Sequence, residues 1–158
     1  MLAEIAEELD RWIAQQNFEA RRAGLPQFRS CTIVILGQMA LLEGAVALTL
    51  ASTKDVDVKA DYSHPVQKEF ERLLNMRGRT LDPLGREVWM PEETMYTPLF
   101  EGPFVRVLVA DADAVLLSKA LKAPDKNRAL LTEYLARGPS QRFLALAKRY
   151  ALDLEQFL

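Results

Sequence analysis

At 158 residues, 49% of them hydrophobic and 27% charged, the chain has the length and composition of one soluble globular domain with a core of its own. A formal charge of −2 excludes a strongly basic nucleic-acid binder, the single Cys31 excludes an internal disulfide, and the single His64 leaves almost no material for a zinc site or a histidine-based triad. No apolar run reaches the length of a membrane span, since "TIVILGQMALLEGAVALTLA" is broken by Gln38 and Glu43; the reading is a cytoplasmic protein with no membrane partner.

Leu2, Ile5, Leu9, Trp12 and Ile13 recur at helical spacing, with acids early and an arginine later, and Gly24 and Pro26 close this first helix. "CTIVIL" reads as a buried strand bounded by Gly37, followed by a helix over "QMALLEGAVAL". The next strand carries Asp55 and Asp57 and ends near Asp61; Pro65 then opens a helix that Gly78 closes. The prolines and glycines of 79–110 mark turns at Asp82-Pro83 and Glu101-Gly102-Pro103, between strands expected around "EVWM", "TMYTPLF" and "FVRVLVA". Beyond 110 the chain turns helical, with Asp111 and Ser140 as caps and Pro124-Asp125 opening the helix between them. The order predicts one α+β domain over 1–158: an N-terminal helix (1–25), a small mixed sheet flanked by helices (26–110) and a helical C-terminal segment (111–158).

The functional signal is "STKDVDV". Strand side chains alternate faces, so with Val56 and Val58 turned to the core, Asp55 and Asp57 share the opposite face, about 6–7 Å apart along the chain. Like charges held this close repel, and a divalent cation with a taste for hard oxygen ligands, magnesium above all, removes the repulsion. Gly37, directly after the preceding strand, lets backbone amides face a phosphate where a helix begins.

"ILGQMALLEG" followed by "TKDVDV" resembles the nucleotidyltransferase superfamily, and more narrowly the small bacterial nucleotidyltransferase-like proteins related to abortive-infection toxins. "VRVLVADADAVLLSKAL" places Lys119 on the family's helical lysine, "VWMPEE" is faintly similar to a tryptophan-containing segment of some members, and the resemblance runs from about residue 31 to about residue 136. It implies Mg²⁺-dependent transfer of a nucleoside monophosphate from a nucleoside triphosphate to an RNA or protein hydroxyl. Asp55, Asp57 and Lys119 would be catalytic, and Gly37, Gln38 and Lys126 would bind the nucleotide. A two-metal site needs a third carboxylate beside Asp55 and Asp57. Glu87 stands first among the candidates with Glu92 and Asp82, and spacing does not choose among them. The resemblance also implies a toxin–antitoxin setting with an antitoxin-like protein partner. Gln38 replaces the family's second glycine or serine, and Pro124 and Asn127 stand where an arginine and an aspartate are expected; these departures suit a rival reading, a catalytically degenerate binding or assembly module. Lys122, Lys126 and Arg128 form a local positive cluster within reach of a phosphate backbone.

Overall fold

A computed structural model of the chain describes residues 1–44 and 46–158. Its helices are α1 (Leu2–Arg22), α2 (Gly37–Glu43), α3 (His64–Asn75), α4 (Ala112–Lys122), α5 (Arg128–Arg137) and α6 (Gln141–Arg149). Its strands are β1 (Cys31–Leu36), β2 (Asp55–Ala60), β3 (Thr80–Leu81), β4 (Tyr96–Glu101) and β5 (Val105–Ala110), with 3₁₀ turns at Gly85–Glu87 and Leu154–Phe157. The fold is therefore α+β. One five-stranded mixed sheet runs β3-β2-β1-β5-β4, antiparallel at β2/β1 and β5/β4 and parallel at β3/β2 and β1/β5.

Alternation along the strands sorts the residues. Ile33, Ile35, Val56, Val58, Val105 and Val107 are buried on one face, which α1 and α3 cover while packing on each other. The apolar stripe of α1 (Leu2, Ile5, Leu9, Ile13) is wholly internal, and Trp12 lies at its margin, stacked on Phe28 at 5.8 Å. Two buried polar residues fix the helix in place. Asn17 exchanges hydrogen bonds with the Phe28 backbone at 2.7 and 3.1 Å. The Asp10 carboxylate accepts from the N–H groups of Phe104 and Val105 at 2.8 and 2.9 Å, directly at the β4–β5 turn. Asp10→Ala would leave both amides without a partner, so a loss of about 2–3 kcal/mol is expected in urea unfolding, with Asp10→Asn retaining part of it.

Two expected elements differ. "EVWM" is not a strand: the backbone closes a 3₁₀ turn at Gly85–Glu87, and Trp89 then packs edge-on against Tyr150 at 5.4 Å, where a β-ladder would have held its ring apart. The second helix stops at Glu43, and Val46–Lys54 runs as an irregular strap. Three polar ties from flanking helices take up its backbone groups: Gln38 Nε2 donates to the Ala51 carbonyl (3.0 Å), Arg137 to the Ala47 carbonyl (2.8 Å), and Glu133 accepts from Thr49 N–H and Oγ1 (3.1 Å each). No described helix is long and apolar enough to cross a membrane.

Candidate active site

β1 ends at Leu36 and the chain turns straight into α2 through Gly37, whose φ of +62° is a left-handed conformation that favours glycine. The turn is tight against β2. A Cβ on Gly37 would stand 2.5 Å from Asp57 Oδ2, so the missing side chain is what admits the carboxylate. From below, Gly85 makes a second close approach: a Cβ there would meet Val58 N at 2.8 Å and Asp57 Cα at 2.9 Å. Asp57 is thus set between two glycine backbones.

Asp55 and Asp57 do share the β2 face opposite Val56 and Val58, with Asp55 exposed at the strand's start and Asp57 half-buried. The acid that joins Asp57 is Asp82, not Glu87. The parallel register pairs Asp55 with Thr80 and Val56 with Leu81, and the Asp82 N–H donates to the Val56 carbonyl at 3.0 Å, so Asp82 falls level with Asp57. Burial, a carboxyl–carboxyl hydrogen bond with Asp82 and the Asp82 charge together push Asp57 up to about 6. Glu87 sits exposed at the end of the 3₁₀ turn and contributes nothing to Asp57. Asp82 was hard to choose from sequence because it depends on a two-residue parallel strand, too short to leave a pattern.

Across from Asp57 lie lysines. A cleft of about 170 Å³ is lined by Gly37, Asp57, Lys119, Lys122, Lys126 and Asn127, with Val88, Met90 and Ser118 among its walls. It adjoins a second cleft of about 330 Å³ that shares Lys119, Lys126 and Asn127 and continues to Gln38, Thr53 and Leu130. Five of the residues expected from sequence (Gly37, Gln38, Asp57, Lys119, Lys126) therefore line one or both of these neighbouring clefts, while Asp55 and Glu87 line neither. Burial, then the neighbouring Lys126, lower the Lys119 pKa, and Asp57 opposes them; Lys119 acts on Asp57 through space, with no hydrogen bond between them. Arg128 is occupied elsewhere, paired with Asp125 at 2.9 Å and lying over the Phe157 ring. Lys122 lies 5.0 Å from the Trp89 ring centre. Gln38 spends its amide on the strap and not on a ligand.

Among the described residues no three His, Cys, Asp or Glu side chains converge into a ready-made metal cage. Magnesium does not require one: it commonly binds through one or two carboxylates, with waters and substrate phosphates completing the shell. Asp57 and Asp82 fit that donor set, since the one hydrogen-bond partner found for Asp57 is another acid and no basic side chain bonds to it. Compared with protein-family models, with curated proteins and with solved structures, the chain matches none. The chemistry rests on the site itself.

Proposed function

We infer that the protein is a nucleotidyltransferase-like enzyme that moves a nucleoside monophosphate from a nucleoside triphosphate to a hydroxyl. One observation carries this reading: Asp57, joined to a second acid, Asp82, faces Lys119 and Lys126 across a narrow cleft. A binding module gains nothing from an acid, Asp57, whose ionisation the fold opposes. Phosphoryl-type transfer does, because positioning and charge neutralisation supply most of its catalysis.

In this reading Asp57 and Asp82, with Asp55 beside them, would hold magnesium, which when bound neutralises phosphate charge and polarises the α-phosphorus. Lys119 and Lys126 would take the charge of the β- and γ-phosphates. The acceptor oxygen forms a bond to the α-phosphorus, the bond from that phosphorus to the bridging oxygen breaks, and pyrophosphate leaves. The hydroxyl proton passes to the Asp57–Asp82 pair. Lys119, with its pKa lowered by burial, is a cation that gains from an incoming anion, so phosphate binding is expected to draw it back toward its ordinary range.

Calorimetric titration with each of the four ribonucleoside triphosphates tests the reading. Binding is expected to require Mg²⁺ and to weaken about tenfold or more in Lys119→Met, with the melting temperature of that variant unchanged or raised. A protein that ignores all four nucleotides would point to the degenerate module. The amide of Gln38, committed to the Ala51 carbonyl at the position of the family's second glycine or serine, is the feature that favours that second reading.

A further inference from the structure

Three lysines line the narrow cleft, and the reaction outlined above uses two of them. Among the described residues Lys119, Lys122 and Lys126 make no ion pair and no side-chain hydrogen bond. Lys119 and Lys126 also line the second cleft, whereas Lys122 does not. Lys119 feels the charges of Lys126 and Asp57 but not that of Lys122, whose ammonium rests over the Trp89 ring, 5.0 Å from its centre. The ring is a fixed support. Ser118, one turn before Lys122 on α4, donates its hydroxyl to the Trp89 carbonyl, and Tyr150 meets the ring edge-on. Lys122 is the movable member of the contact: it is exposed, it is the last residue of α4, and its ammonium ends a flexible stem. A larger cavity of about 670 Å³ between the strap and α4–α5 offers no comparable group. Its polar side chains are taken, Tyr134 by Asp113 and by the Ser140 N–H, and Arg137 by the Ala47 carbonyl.

An ammonium over an aromatic face at an exposed site is held weakly, and a charge-assisted bond to a phosphate oxygen is the stronger partner. Size says which phosphate reaches it. At about 170 Å³ the narrow cleft falls below the roughly 300–1,000 Å³ of pockets that enclose drug-sized ligands, so it has room for phosphoryl groups but not for a base and a sugar as well. The nucleoside is left to the second cleft, of about 330 Å³. Phosphates next to the nucleoside then meet Lys119 and Lys126, which the two clefts share. Lys122, which the second cleft lacks, is met by the far end of the phosphate chain. We propose that Lys122 leaves Trp89 for the terminal phosphate of a triphosphate and so makes the cleft prefer triphosphates to diphosphates. A diphosphate ends short of this third cation and leaves it on the ring. The preference among nucleotides rests on the nucleotidyl-transfer reading; the grip of Lys122 on a condensed phosphate does not.

The chain has two tryptophans, so Trp12→Phe leaves Trp89 as the sole indole reporter. That protein is titrated, with Mg²⁺ present, with inorganic tripolyphosphate and pyrophosphate, and with a ribonucleoside triphosphate and its diphosphate. Trp89 emission is expected to change on saturation with either triphosphate and to change less with pyrophosphate or the nucleoside diphosphate. In calorimetry, Lys122→Met should weaken both triphosphates about tenfold or more while leaving the diphosphates within about threefold, and Lys122→Arg should restore part of the difference. The ratio of triphosphate to diphosphate affinity is the deciding quantity, because a lysine that merely packs on Trp89 would not move it. A ratio unchanged in Lys122→Met, or Trp89 emission indifferent to saturating tripolyphosphate, would overturn the proposal. Tripolyphosphate binding that depends on Lys122 in a protein that transfers no nucleotide would overturn the transfer reading alone. Transfer by Lys122→Met with the parent's preference intact would overturn the role of Lys122 alone, so the two fail separately.

Discussion

Asp57→Asn is expected to abolish Mg²⁺-dependent transfer and to make the metal-free protein more stable at neutral pH. The two effects have one cause. The folded carboxyl titrates at about 6 against an ordinary value of 3.8, raised first by burial and then by Asp82. Below the ordinary value the group is protonated in both the folded and unfolded chain and contributes no difference. As pH rises from there toward 6 the unfolded chain ionises first, so stability falls, and above 6 the deficit stays constant. Asparagine has no charge to lose and can donate to Asp82 in place of the shared proton. With Asp57 half-exposed and screened by solvent, the gain at pH 7.5 is expected to be on the order of 1 kcal/mol, or roughly 2–4 °C in Tm, and to vanish near pH 4. Transfer activity is expected to fall by a factor on the order of 10²–10³ or more. Thermal melts at the two pH values, without magnesium, check the sign: a variant destabilised at pH 7.5 would mean the acid pair serves the fold.

The second large effect is expected at Gly85. An alanine there would place its Cβ 2.8 Å from Val58 N and 2.9 Å from Asp57 Cα, and both are backbone atoms of a strand fixed by its pairing with β1. No flexible side chain can give way, so either the 3₁₀ turn or β2 must move. A loss of about 3 kcal/mol is expected, or roughly 6–12 °C in Tm, with nucleotide binding lost as Asp57 and Asp82 separate. Gly37→Ala differs in kind. Its Cβ would meet the mobile end of Asp57 at 2.5 Å, and its φ of +62° adds a backbone strain of about 1 kcal/mol. The smaller stability loss and the equal loss of function distinguish the two glycines by melting and titration run side by side.

Local signals carried most of the architecture. Asp111 and Ser140 cap α4 and α6 as their side chains suggest, accepting from Ala114 N at 3.2 Å and Phe143 N at 3.0 Å. The strand–Gly37–helix unit and the common face of Asp55 and Asp57 follow from period-2 alternation alone. What stayed hidden was long-range. Asp82 reaches Asp57 only through β3, whose two residues have no periodicity to detect. "EVWM" has the β-prone composition of a strand, but tertiary packing on Tyr150 overrides it. Helix formers beyond Gly44 implied a longer α2; the ties from Glu133, Arg137 and Gln38 hold Val46–Lys54 as a strap instead, Ala45 lying outside the described residues, and none of those partners is visible from local sequence. Gln38 has its use there, its amide donating to the Ala51 carbonyl.

Manganese(II) in place of magnesium gives the most direct measurement of the pairing at the centre of the site. Paramagnetic broadening of ¹⁵N-labelled protein, with a nucleoside triphosphate present, is expected to erase the amides of Gly37, Gln38, Asp57 and Asp82 first and to spare α1 and α3. Broadening that spreads evenly over surface acids such as Glu87 and Glu92, or that is unchanged in Asp57→Asn, would contradict a metal–nucleotide site between the two aspartates and the Lys119–Lys126 wall.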